Sequence, residues 1–411
     1  MLELSGSSLV FHFPDVHPCA RVTISFERTL RIPDDEKTYQ LPPSLGSFPV
    51  RHVEDFQARL PEKWKKRGGV MLPMYQSEAM WLNFRGHQDP ERGTPYPFAI
   101  KVAAGKQSAL TGEPWSKKLK ERDYCVIPLQ PWLDGYVVDK GLIRQFVAMP
   151  LGGGFSVEEQ LTGKAEFGGL QIEAIPMRRS EYERRFPKRP PPPPSHHGLL
   201  RSMSLGSHSG GARGGQWTGP QGSVGPTGHT ESGSRAESGP ARRLGATYSL
   251  HADRSVSLKC SVDRQDSCMN SDSGATLDLN SMGLGAGGLM KQQVFDDPYA
   301  LSDWETESKT RCFVHLADSM TWRAITSEAP PTVPLTAEDY TRHGRPWFDY
   351  YAEEPALKGT KALKGVKTVK EVGHAKGIPA LPENTSVSPT HVHVIPASTF
   401  GGKQVRDGVW K

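Results

Sequence analysis

Long apolar runs are missing from this 411-residue chain. No stretch approaches the roughly 18 consecutive apolar residues of a membrane-spanning helix. The apolar share, 36%, is low for a chain folded throughout. Cysteine is scarce: five residues, an odd number, with no C-x-x-C pair. That fits a reducing compartment better than a disulfide framework. The opening run "MLELSGSSLVFHFPDVHPC" has neither a basic segment nor a long apolar core, so no secretory signal is predicted. A cytoplasmic location is the expectation. No G-x-S-x-G motif is present, which removes support for an esterase of that kind.

Glycine and proline, by contrast, are plentiful, at 42 and 35 residues. Such an excess marks a poorly ordered part beside a folded one. Charge is also uneven. From Leu357 to the C-terminus there are nine Lys or Arg against three Asp or Glu, a balance of +6 within a chain of net +5. The remainder is therefore close to −1. The basic character belongs to the tail, so specific nucleic-acid binding by the body is not expected.

Period-two alternation dominates the first part. "ARVTISFERTLRIP" puts Val22, Ile24 and Phe26 on one face. "YPFAIKVAAGK" does the same with Phe98, Ile100 and Val102, and "GGLQIEAIPM" with Leu170, Ile172 and Ala174. "GYVVDKGLIRQFVAMPL" reads as a hairpin turning at Asp139-Lys140-Gly141. The clearest helical run is "VEDFQARLPEKWKKRG", weakened or split by Pro61 and stopped by Gly68. Near residue 320, Ser319 is placed to cap a helix that buries Trp322 and Ile325. The predicted fold class is mainly β with few short helices, a sandwich- or barrel-like body interrupted by a long disordered insertion.

Composition divides the chain into four parts. Residues 1–187 are the first part of the β-rich body. Residues 188–276 open with "KRPPPPPSHHG" and stay rich in Ser, Gly, Pro and Arg. This insert has too little apolar surface to offset its ordering entropy, so disorder is predicted. Its proline run suits a polyproline II helix and a proline-reading domain. Residues 277–352 are the second part of the body, and residues 353–411 a basic tail. In "LKGTKALKGVKTVKEV" lysines recur every third residue, a period that fits neither a strand nor a helix. An irregular, exposed tail with weak affinity for anionic surfaces is the expectation.

Seven runs carry a resemblance: "MYQSEAMWLNF", "YPFAIKVAAGK", "TGEPW", "QPWLDG", "RQFVAMPLGGGFSVEEQLTG", "FGGLQIEAIPM" and "GRPWFDYY". They resemble an uncharacterised family of microbial hypothetical proteins. The similarity runs over about residues 70–177 and 282–351. It implies that the two flanks of the insert belong to one recurring unit. It implies no activity and no site.

Candidate chemistry is sparse. "RQFVAMPLGGGFSVEEQLTG" has the outline of a phosphate loop, but Glu158 and Ala165 break the Walker pattern and Val157 breaks the dinucleotide pattern. Ser156 and Glu159 instead form a capping box, and the two glutamates place negative charge where a phosphate would sit. No cofactor is expected there. Histidine and cysteine give only partial metal sets: His12, His17 and Cys19; Cys312 with His315; His391 with His393. No metal site is expected from these. Glu113 beside Trp115 and Asp134 beside Trp132 are the pair that an alternative reading, a hydrolase acting on carbohydrate, would use. The leading reading is non-enzymatic, a binding or scaffold protein. Its insert repeats Arg-Ser-x-Ser-Leu at "RSMSLG" and "RSVSLK". An arginine three residues before Ser204 and Ser257 makes them phosphorylation candidates, and each phosphoserine would suit a phosphoserine-reading protein.

Overall fold

The computed structural model describes residues 1–35, 37–189, 281–336, 338, 347–351, 355–378 and 392–396. Strands β1 (Leu2–Ser5), β2 (Ser8–His12) and β3 (Arg21–Leu30) open the chain as an antiparallel meander. Val22, Ile24 and Phe26 share one face of β3 and are fully buried, as their spacing predicts. Short strands β4 (Thr38–Tyr39) and β5 (Arg51–His52) follow. Pro61 splits the next run into a 3-10 segment (Val53–Arg59) and α1 (Glu62–Arg67). Proline suits a helix start because the N–H it lacks has no partner there. Gly68 ends α1 at φ 60°.

Next come β6 (Val70–Pro73), β7 (Glu78–Gly86), β8 (Gln88–Asp89), β9 (Thr94–Pro95) and β10 (Phe98–Ala104). After β11 (Gln107–Ser108), β12 (Cys125–Ile127) and β13 (Trp132–Leu133), strands β14 (Gly135–Asp139) and β15 (Leu142–Pro150) form the expected hairpin. Gly141 makes its turn at φ 72°. Helix α2 (Val157–Thr162), β16 (Leu170–Pro176) and α3 (Arg179–Arg185) finish the first flank. The second flank contributes β17 (Met282–Lys291), β18 (Thr310–Ala317), α4 (Ser319–Thr326), β19 (Trp347–Tyr351), α5 (Lys361–Lys364), α6 (Val369–Ala375) and β20 (Val392–Pro396).

Two large sheets result. One runs β1-β2-β3-β7-β15-β17-β4, with β13 added on β7 and β14 on β15. The other runs β11-β10-β16-β18-β6-β5, with β12 on β10. Both are mixed, since β17–β4 and β18–β6 are parallel. Ile24, Phe26 and Phe146 of the first sheet share one core with Phe98, Ile100, Ile172 and Val314 of the second. The body is thus mainly β and sandwich-like, with few short helices. Strands β19 and β20 make a separate parallel pair.

Each large sheet contains strands from both sides of residues 190–280. Strand β17 pairs with β15 from Leu142↔Lys291 to Pro150↔Met282. Strand β18 pairs with β16 from Leu170↔Val314 to Ala174↔Thr310. The insert from residue 190 onward, where disorder is predicted, lies outside the described residues. Strand β17 reads "MGLGAGGLMK", and its glycines are required by close approach. A Cβ on Gly285 would stand 2.7 Å from Val369 Cγ2 and 2.9 Å from the Phe155 carbonyl oxygen. One on Gly288 would stand 2.5 Å from the Pro33 oxygen.

The basic tail departs from expectation. Its lysine-repeat segment folds and packs against the body. Thr360 caps α5, accepting from Leu363 N, and Thr368 with Glu371 forms a capping box on α6. A turn between the two helices resets the phase, so a three-residue spacing buries Leu363, Val366, Val369 and Val372. A single continuous helix would have rotated the same residues out of register. Lys358, Lys361, Lys364, Lys367 and Lys370 remain exposed. A smaller correction concerns α4. Its cap is Asp318, whose carboxylate accepts from Thr321 N at 2.7 Å, while Ser319 is the first helical residue. Trp322 and Ile325 are buried as expected.

Docking of the tail gives a stability prediction. Leu363→Ala removes a side chain 1% exposed and lowers unfolding free energy by about 2–3 kcal/mol in urea titration. Lys361→Ala, on the exposed face, changes it by less than about 0.5 kcal/mol. Equal effects would mean the segment does not pack.

Candidate functional site

The glycine loop after β15 is filled by its own helix. Glu159 Oε1 accepts from Gly152 N at 2.9 Å and from Gly154 N at 2.8 Å. Its Oε2 accepts from Ser156 N at 3.2 Å and from Ser156 Oγ at 2.7 Å, while Ser156 Oγ accepts from Glu159 N. These backbone N–H groups form a nest of the kind that binds anions. Here the Glu159 carboxylate, from the first turn of α2, occupies it. Neighbouring Glu158 is 3% exposed and caps a second turn. It accepts from Glu166 N, Phe167 N and Gly168 N at 2.7–3.0 Å. Gly163 closes α2 in the left-handed conformation, φ 70°. The stretch is a satisfied strand-to-helix corner with no room for a phosphate.

The two tryptophan-flanked acids occupy different environments. Glu113 is exposed and pairs with Lys120 at 2.7 Å. Asp134 is 3% exposed and exchanges hydrogen bonds with the Gln292 amide. Gln292 Nε2 donates to Asp134 Oδ1 at 2.8 Å, and Asp134 N donates to Gln292 Oε1 at 3.0 Å. Burial pushes the Asp134 carboxyl up to about 7, with the Gln292 bond opposing. One acid stands in solvent and the other is sealed from it, so they do not face each other across an open cleft.

The histidines and cysteines sort differently from their sequence grouping. His12 lies at the surface, its Nε2 3.3 Å from the Pro18 oxygen. His17 and Cys19 instead gather with Asp89, their ligating atoms all within 4.8 Å of one another. The chemistry of this group argues against an ion. Cys19 N donates to His17 Nδ1 at 3.1 Å. Asp89 Oδ1 accepts from Glu91 N and Arg92 N, and its Oδ2 accepts from Arg92 Nη1 at 3.0 Å and the Tyr182 hydroxyl at 3.1 Å. Burial pushes the Asp89 carboxyl up, but these bonds outweigh it and hold it low. Burial also lowers the pKa of His17 and raises that of the Cys19 thiol, which keeps both neutral. A metal would have to displace the Arg92 guanidinium from a carboxylate with no spare acceptor. The cluster pins the β8–β9 turn to α3. His17 also stacks on Tyr96 at 5.2 Å.

Cys312 and His315 do not converge either. Cys312 Sγ contacts the Phe313 carbonyl, and burial pushes its thiol up to about 12. His315 Nε2 pairs with the Gly68 oxygen at 3.0 Å, its ring stacked between Trp64 and Phe313 at 4.4 and 4.6 Å. Burial lowers its pKa to about 3, so it is neutral at physiological pH. Ser204, Ser257, His391 and the His393 side chain lie outside the described residues.

Asp134 gives a pH prediction. Its folded pKa, about 7, exceeds the ordinary 3.8, so the folded state holds this proton more tightly than the unfolded chain. Its contribution is full below pH 3.8 and lost as pH rises through about 7. Asp134→Asn keeps the oxygen that Gln292 donates to and removes the titration. At pH 8 we expect it to stabilise the protein by on the order of 2 kcal/mol, and the pH 4–7 slope to flatten. Urea unfolding across pH measures both. An unchanged slope would assign the pH dependence to other groups.

No protein-family model, no curated protein and no solved structure matches this chain.

Proposed function

We propose that this protein is a non-enzymatic binding scaffold whose β body holds both ends of the 190–280 segment and displays it to partners. The anchoring of those ends supports the reading. Arg189 N donates to the Glu91 oxygen at 2.9 Å, and its Nη2 donates to the Gly93 oxygen at 3.1 Å. At the return, Trp64 Nε1 donates to Ser281 Oγ at 3.1 Å, and Leu151 N donates to the Ser281 oxygen at 3.0 Å. Between these anchors the sequence carries the proline run and both Arg-Ser-x-Ser-Leu repeats. Phosphorylated Ser204 and Ser257 recruit a phosphoserine-reading protein, whose arginines capture the dianion. The polyproline run is the docking element for a proline-reading domain. The exposed lysines of residues 358–370 add weak attraction to anionic surfaces. The two flanks are the recurring unit of the resembled microbial family, and the insert is this protein's elaboration of it. The carbohydrate-hydrolase alternative draws no support from the positions of Glu113 and Asp134.

Affinity capture from the native cell tests the reading. The full chain, phosphorylated at Ser204 and Ser257, should retain a phosphoserine reader that phosphatase treatment releases. Ser204→Ala with Ser257→Ala should cut its recovery by about tenfold, the loss of two charge-assisted contacts. Undiminished recovery with the double variant, or absence of both phosphates in the native protein, would contradict the phosphoserine reading.

A further inference from the structure

The surface near the end of β16 carries a groove of about 350 Å³ with unbalanced charge. Lys117, Lys118, Arg178 and Lys309 line it, with Glu307 as its acid and Trp304 in its wall. The four cations come from three separate segments of chain.

Their placement is built from beneath. Lys101, on β10, is buried, and its Nζ donates to the Ser116 oxygen at 2.7 Å and the Lys118 oxygen at 3.4 Å. It also pairs with Asp123 at 3.1 Å and lies over the Trp115 ring at 4.7 Å. The loop bearing Lys117 and Lys118 is therefore tied to the sheet. Lys309 Nζ donates to the Lys117 oxygen at 2.7 Å. Arg178 Nε donates to the Trp304 oxygen at 3.3 Å, leaving its terminal nitrogens for another acceptor.

The surrounding basic residues are neutralised. Lys120 pairs with Glu113 at 2.7 Å, Arg179 with Glu183 at 2.8 Å, and Arg185 with Asp303 at 2.5 Å. Among the described residues, none of the four groove cations has a carboxylate within ion-pair distance. Four cations less Glu307 leave +3. Adding the layer beneath does not change this. Lys101 and Arg311 bring two positive charges, and Asp123 and Glu173 two negative ones. The wall also offers apolar surface from Leu119 and Leu301.

We propose that this groove is a binding site for a phosphate monoester. A dianion answers the net charge, the Arg178 fork and two lysines supply charge-assisted donors, and the apolar wall receives the ester's carbon side. A lone carboxylate would leave most of the charge uncompensated. The phosphate can come from a small molecule or from a phosphorylated side chain.

Calorimetry on the full chain, purified without phosphorylation, tests this with phenyl phosphate, benzoate and a short phosphoserine peptide beside its unphosphorylated form. Phenyl phosphate should bind about tenfold more tightly than benzoate, and weaken as salt rises. Arg178→Ala with Lys118→Ala should weaken it by about tenfold again. The exposed pair Lys63→Ala and Lys66→Ala, away from the groove lining, should leave it unchanged, and thermal melting checks that each variant folds. Tighter binding of the phosphopeptide than of phenyl phosphate assigns a protein source. Equal or weaker binding assigns a small molecule. Benzoate matching phenyl phosphate, the groove variant binding as the parent does, or no heat with any phosphate would overturn the proposal. Because the probes need neither Ser204 nor Ser257, the outcome is independent of the insert's role.

Discussion

Strand β15 pairing with β17 is the constraint on which the rest of the body depends. Strand β15 sits inside its sheet, hydrogen-bonded to β7, β14 and β17. Its partner β17 arrives from beyond residue 280. Closing so long a loop is tolerated because its entropy cost grows only logarithmically with length. The paired register then has to be specified locally. A bulge between Arg144 and Phe146 does part of this. Gln145, at that bulge, is fully buried, donates to the Leu30 oxygen and accepts from Ile32 N. One amide thereby ties the end of β3 to the sheet centre. The glycines of β17 let the α2 cap, Val369 of α6 and the Pro33 turn press directly on the strand.

Buried and half-buried polar groups serve the same end elsewhere. Glu159 fills the glycine nest, Glu158 caps the following turn, and Asp89 holds the β8–β9 turn against α3. Arg28 and Glu78 form a buried ion pair at 2.7 Å between neighbouring strands. Glu158, Asp89, Arg28 and Glu78 place charge where burial is costly. Hydrogen bonds outweigh burial at Asp89, whereas at Glu78 burial still holds the carboxyl above its ordinary range despite the bonds from Arg28 and Tyr75 N. Residue patterns that resemble chemistry in the sequence here act as fasteners of loops. The proposed functions rest instead on the sequence of the 190–280 segment and on the basic groove.

Legibility in the sequence follows from how local each signal is. The alternation of β3, β10 and β16, the Asp139–Gly141 turn, the Pro61 break and the Ser156–Glu159 box are all set by residues a few positions apart, and they read correctly. Strand β17 does not, because four glycines erase its alternation; they answer to close contacts with residues 33, 147, 155, 156 and 369. The tail's three-residue period misleads, because two short capped helices with a turn between them are not a single periodic element. The Asp89 knot joins residues 17, 89 and 182, and the groove joins residues 117, 178 and 309. No spacing rule brings such sets together. Only the sheet order does.

Native-state hydrogen exchange shows whether β15 and β17 belong to one cooperative sheet. Amides of Phe146 and Ala148 in β15 and of Leu284 and Ala286 in β17 should exchange with one common free energy and one denaturant dependence, as a single unfolding unit does. Strand β17 amides exchanging at much lower free energy, while β15 stays protected, would contradict it.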